Sequence, residues 1–72
     1  MLVLTRKVGE SVKLDLKTSV DRSLAVGELF ADGPIEVVLL GVTRRQVKVG
    51  IQASPHVLIL REELYAARTN KR

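Results

Sequence analysis

Seventy-two residues with no cysteine and a single histidine, His56, exclude disulfides, thiolate metal sites and an ordinary zinc site. Twelve lysines and arginines against eight acids leave a net charge of +4 and a pI near 10.0, which favours anionic partners. One domain is expected over residues 1–72, and because so small a domain buries only about 60% of the surface its unfolded chain exposes, its missing support is expected from a second copy of the chain.

Residues 2–6 read as a first strand, followed by a short turn, Lys7-Val8-Gly9-Glu10-Ser11, in which Gly9 supplies an unusual backbone angle. Val12, Leu14 and Leu16 then alternate with Lys13, Asp15 and Lys17, the period of a strand with one buried and one wet face, and the two strands are predicted to form a hairpin. Over residues 18–32 the pattern changes. Ser19 is a candidate helix cap, Asp21 falls in the first turn, and Val26, Leu29 and Phe30 recur at helical spacing. A short amphipathic helix is predicted there, with a structured loop as the alternative because Gly27 costs about 1 kcal/mol relative to alanine. Asp32-Gly33-Pro34 ends whichever forms.

Residues 35–42 are nearly continuous in apolar, β-branched types and predict a buried strand. Val47, Val49 and Ile51, alternating with Lys48, Gly50 and Gln52, predict its hairpin partner. The tip carries Arg44 and Arg45 without glycine, which predicts four or more loop residues and not a two-residue turn. After Ala53-Ser54-Pro55-His56, residues 57–60 form a fifth predicted strand. Residues 62–68 change to helix formers with acids first and bases last, and 69–72 make a basic, frayed end.

Arg6 and Arg61 sit on apolar strand segments at opposite ends of the chain. A sheet that unites those ends places two flat, five-donor guanidiniums beside apolar surface with little to neutralise them, an outline suited to phosphates and base edges. Arg44 and Arg45 are either a solubilising hairpin tip or phosphate contacts that add affinity without sequence choice. His56 has no obvious partner, and Asp15, Asp21 and Asp32 share no spacing, so no catalytic constellation, cofactor or small-molecule substrate is expected. A β-ribbon DNA binder wants base-reading polar side chains on its central strands, which here are apolar. Arginines at sheet edges suit splayed single-stranded bases better. A protein-interaction adaptor stays open, and an exposed Val26-Leu29-Phe30 face would favour it. With no opening apolar core and no run near the roughly 18 residues that span a bilayer, a soluble cytoplasmic protein without membrane contact is expected.

The opening Met1-Leu2-Val3-Leu4-Thr5-Arg6-Lys7-Val8-Gly9-Glu10-Ser11 closely resembles that of the CsrA/RsmA family of bacterial translational regulators. Leu40-Gly41-Val42, Gln46-Val47-Lys48-Val49-Gly50-Ile51 and Leu60-Arg61-Glu62-Glu63-Leu64-Tyr65 fall in the family's order and spacing. Residues 18–32 depart from it, since typical members cross there by a tight turn. In this they are similar to the RsmN variant, which inserts a helix, while residues 64–68 look more like the typical form. The resemblance implies a mainly β fold: a five-stranded chain in an intertwined homodimeric β-sandwich or barrel, the first strand of one chain beside the fifth of the other, with two equal sites.

By the same resemblance the RNA-binding residues are Leu4, Thr5, Arg6 and Lys7 on the first strand and Ile59, Leu60, Arg61 and Glu62 on the fifth, with Arg61 the principal contact. Ala53, Ser54 and Pro55 would approach RNA through their backbone. Two positions depart from the pattern: Leu60 stands where many members have histidine, and Pro55 is displaced by one from the usual Ala-Pro. Members bind GGA in hairpin loops of messenger leaders, repress translation or alter message stability, and are titrated by small RNAs.

Overall fold

In the computed structural model, which describes residues 1–69, the elements run β1 (Leu2–Lys7), β2 (Val12–Leu16), α1 (Val26–Leu29), β3 (Glu36–Thr43), β4 (Gln46–Gln52), β5 (Val57–Arg61) and α2 (Glu62–Thr69). The five strands and the last helix lie where hydrophobic periodicity predicts them. Thr69 is helical and not part of a frayed end, and the rest of that predicted end lies outside the described residues.

The pairing differs from the expected hairpin of the first two strands. β1 pairs not with β2 but with β4, and β2 pairs with β5, giving a three-stranded antiparallel sheet β1-β4-β3 and a two-stranded sheet β2-β5. The reason lies in residues 8–11. Lys7 C=O accepts from Glu10 N across a tight turn in which Gly9 has φ +90°, and this turn aims the chain away from β1 instead of back along it. The connection is held from both sides. Val8 N donates to Arg45 O in the larger sheet, and Ser11 O accepts from Glu62 N beside the smaller one.

β3 and β4 do form the predicted hairpin, but Thr43 pairs with Gln46, so Arg44 and Arg45 alone make the turn. Arg44 has φ +54° and is the one non-glycine residue described with positive φ, the sign pattern of a II′ turn, whose first central position favours glycine. An L-residue there stores roughly 1 kcal/mol of backbone strain. The register of β3 slips between Leu39 and Gly41, leaving Leu40 bulged.

Strand alternation sorts the larger sheet into two faces. Leu2, Leu4 and Arg6 share one face with Val47, Val49 and Ile51, their registered partners. Leu4, Arg6 and Ile51 are buried there. Val37, Leu39 and Val42 of β3 extend this inner face, yet they are 56%, 71% and 69% exposed. The apolar run predicted as a buried strand is thus an open sheet edge in the single chain. On the outer face Gly50 is covered by Met1 and Leu40, and a Cβ at Gly50 would stand 2.6 Å from the Met1 sulfur.

Residues 18–32 contain one helical turn, α1, and not the longer helix headed by Ser19. Its N-cap position is Ala25, and no side chain caps it. Residues 17–24 are instead spent on two consecutive turns, Val20 N to Lys17 O and Leu24 N to Asp21 O. The Asp21 carboxylate accepts from Ser23 N, which holds its pKa below the usual carboxylate range. Leu29 is half-buried and borders an open concavity with Leu14, Leu16, Ile35 and Val57, while Val26 and Phe30 are exposed.

Candidate nucleic-acid interface

The β1 end, the hairpin tip and the start of α2 meet around residues 8–11. There Arg6 is not the unneutralised guanidinium that its place on an apolar strand suggests. Its Nη1 donates to Glu63 Oε1 at 3.1 Å and to Ser11 O at 2.9 Å, while Nη2 donates to Glu63 Oε2 at 2.9 Å and lies 3.5 Å from Glu10. Two parallel N–H to carboxylate bonds form the bidentate fork that arginine favours. The hydrogen bond from Arg6 holds the Glu63 carboxyl down to about 2, and the same bond raises the already high pKa of Arg6. Beside it the Ser11 hydroxyl donates to Glu62, so both acids at the head of α2 hold the β1–β2 connection. Further along the helix, Tyr65 OH donates to Asp15 Oδ2 at 3.0 Å and pins α2 to β2.

Arg61 is in the opposite condition. It ends β5 opposite Val12 and is exposed, its side chain makes no hydrogen bond or ion pair among the described residues, and its charge adds to that of Arg6 in holding the Glu63 carboxyl low. Ile59 and Leu60 precede it half-buried, opposite Leu14 and Lys13. A free planar fork at the end of an apolar strand has the chemistry for a phosphate or for the O6 and N7 edge of guanine.

The residues expected to form one site occupy three places in the chain. Arg6, Arg61 and Glu62 gather around residues 8–11. Leu4 shares the inner face with Arg6, whereas Thr5 and Lys7 alternate to the outer face opposite Lys48 and Gln46. Ala53, Ser54 and Pro55 lie at the far end of β4, where Ala53 and Ser54 border a concavity lined by Asp32 and Glu36, whose negative charge opposes phosphate. Ser54 is engaged in its own turn: Val57 N donates to its carbonyl at 3.0 Å and His56 N to its hydroxyl at 3.2 Å, with Pro55 supplying the fixed φ that starts the turn. Lys48 belongs with Lys7 on the outer face, a placement that becomes visible only with the β1–β4 register.

No group of three or more His, Asp or Glu side chains is placed to hold a metal ion among the described residues. None of the described helices is long and apolar enough to cross a membrane.

Fold and site together define a small, basic β-sheet protein with one guanidinium locked and another presented. Residues 1–70 match the model of the CsrA global regulator protein family, and the chain belongs to that family. It is 42% identical over 65 residues to the translational regulator CsrA of Thermotoga maritima, a match spanning 90% of this chain and 58% of that protein. Its namesake in Thermosipho melanesiensis is 40% identical over 65 residues, across 90% of this chain and 64% of the relative. The chain therefore spans about three fifths of the length of these relatives. The family is one of regulators and not of enzymes.

Proposed function

We propose that this chain is a cytoplasmic RNA-binding regulator of translation that captures GGA exposed in hairpin loops of messenger leaders and is titrated by small RNAs carrying the same motif. The observation that carries this reading is the exposed guanidinium of Arg61, without a hydrogen bond or ion pair among the described residues, in a chain of the CsrA family. Leu4, Thr5, Lys7, Ile59, Leu60 and Glu62 are assigned as its neighbours at the site, and the tip arginines 44 and 45 as phosphate contacts. Arg6 contributes by holding α2 and the β1–β2 connection in place. Ala53, Ser54 and Pro55 reach the RNA only if a second chain brings them to it.

The active form in this reading is a homodimer. An 8.0 kDa compact protein exposes about 4,450 Å², and this chain exposes 5555 Å² over a body only 14 Å thick. The uncovered inner face of β3 and the open edges of both sheets are the surfaces for a second copy.

A mobility-shift titration with three probes tests the proposal: a GGA hairpin, the same hairpin carrying CCA, and duplex DNA of matching length. The GGA hairpin is expected to bind at least tenfold tighter than either control, and equal binding to all three would leave only a basic surface. Light scattering of the free protein should give twice the chain mass, and a monomeric mass at micromolar concentration removes the dimer from the reading. A second reading, docking of a protein partner on residues 18–32, draws on the exposure of Val26 at 71% and Phe30 at 41%. It gains if Val26→Ser/Phe30→Ser leaves both mass and RNA binding unchanged.

A further inference from the structure

Three carboxylates stand near the end of β5. Glu10, Glu62 and Glu63 border one open concavity with Gly9 and Ala66, and the charge of Arg61 helps to hold the Glu63 carboxyl low. An exposed arginine beside free acids is open to ion pairing, which any other ligand of its guanidinium must then displace. Arg61 makes no such pair among the described residues, because each acid is taken by another donor. Glu63 receives the fork of Arg6 at 2.9 and 3.1 Å, while Glu10 accepts from Lys7 N at 2.7 Å and faces Arg6 Nη2 at 3.5 Å. Glu62, next to Arg61 in the chain, has no ion pair among the described residues. It is held by an uncharged group, the Ser11 hydroxyl.

The placement of Ser11 follows from the strand register. Val12 lies opposite Arg61 in the β2–β5 pair, and the pairing runs one step further, with Glu62 N donating to Ser11 O at 3.2 Å. The alternation of β2 turns the Ser11 side chain to the face opposite that of Val12, so its bond draws the Glu62 carboxylate to that side. Two donors fix Ser11 through its carbonyl, Glu62 N and Arg6 Nη1, the latter at 2.9 Å, and neither depends on the side chain. A hydrogen bond onto a carboxylate generally outweighs an exposed ion pair, so Glu62 stays with Ser11 although a guanidinium is its neighbour.

We infer that Ser11 is a positioning residue of the RNA site, its hydroxyl holding the Glu62 carboxylate off Arg61 and so keeping that guanidinium open to RNA. This rests on the RNA reading and adds to it the group that keeps its principal cation available. Ser11 acts through Glu62 and touches no RNA itself. Removing the hydroxyl leaves both backbone anchors in place and releases the carboxylate beside the arginine, where RNA must compete with it.

The test measures affinity for the GGA and CCA hairpins in wild type, Ser11→Ala, Ser11→Thr, Glu62→Gln and Ser11→Ala/Glu62→Gln, at a temperature where circular dichroism shows each to be folded. Ser11→Ala is expected to bind the GGA hairpin about two- to fivefold more weakly, the range of an exposed ion pair that RNA must now displace. Ser11→Thr keeps the hydroxyl and should recover most of that loss. Glu62→Gln should improve binding more in the Ser11→Ala background than in wild type, because only there is the carboxylate free to reach Arg61. If Ser11→Ala does not fold, Ser11→Cys, which keeps the shape of the side chain with only a weak donor, takes its place.

Wild-type affinity in Ser11→Ala would overturn the inference and leave the RNA reading standing. So would a loss that Glu62→Gln does not relieve, since a bond that merely braces α2 cannot be restored by removing its second partner. An equal gain from Glu62→Gln in both backgrounds overturns it too, as that is the effect of one negative charge less near RNA. A wild type that binds the GGA hairpin no better than the CCA hairpin would remove the RNA reading, and this inference with it.

Discussion

Arg6 and Arg61 flank the same short connection, one at the end of β1 and the other at the end of β5, and each follows an apolar run. Arg6 points to the inner face, where its charge is satisfied by Glu63, Glu10 and the Ser11 carbonyl. Arg61 ends its strand in solvent, and the acid that follows it, Glu62, is taken up by Ser11. The contrast teaches that the acids at the head of α2 decide which arginine is available. By engaging Ser11 and Arg6, Glu62 and Glu63 secure the helix and leave the strand end of β5 free to bind.

Separating the two roles is the most direct way to break this contrast. Arg61→Ala is expected to weaken binding to the GGA hairpin by about 1–3 kcal/mol, roughly 5- to 150-fold, while the thermal midpoint stays within a degree or two. Unchanged affinity would show that the free fork does not read RNA. Arg6→Ala should do the reverse in order of cause, lowering the midpoint by about 5 °C or more as the clasp on α2 opens, with RNA binding falling only as folding does. A lower affinity at full folding would assign Arg6 a direct role at the RNA.

Acid sharpens the same contrast. Glu63 titrates lower in the folded protein, near 2, than in the unfolded chain, so the stability from its pair with Arg6 is complete above about pH 5 and is lost as the pH falls toward 2. Thermal midpoints at pH 6 and pH 3 should therefore converge in Glu63→Gln relative to wild type, and parallel profiles would deny the pair its role. Smallest of the effects, Tyr65→Phe should cost about 1 kcal/mol in urea unfolding by removing the hydrogen bond to Asp15, leaving the Arg6 clasp intact.

Much of the fold was legible because strand and helix periodicity are local properties. Val12, Leu14 and Leu16, or Val47, Val49 and Ile51, announce a strand whatever it pairs with. Pairing is non-local, and the short turn after Lys7 suggested a hairpin, whereas Gly9 at φ +90° sends the chain to the other sheet. The spacing of Val26, Leu29 and Phe30 did mark a helix, but only one turn of it forms, because the segment before Ala25 satisfies its backbone in consecutive turns.

The site was legible in its residue types and not in their partners. Glu63 lies 57 positions from Arg6, and nothing in either neighbourhood links them until the strands are paired. The two-residue turn at Arg44 and Arg45 was hidden for a simpler reason, since a glycine normally signals it and an arginine occupies its place. Lys48 reads as an ordinary wet-face residue until register puts it beside Lys7.

The span between Arg6 and Glu63 also imposes a schedule. At about 5–20 residues per second, β1 leaves the ribosome's active centre some 3 to 11 s before the carboxylate that will neutralise its arginine is made. For most of that interval the first strand lacks β4, and through all of it the Glu63 carboxylate, while the apolar face of Leu2 and Leu4 waits with it. Closing the clasp joins residues 57 positions apart, so the entropy of closing that long loop is met before the ion pair rewards it.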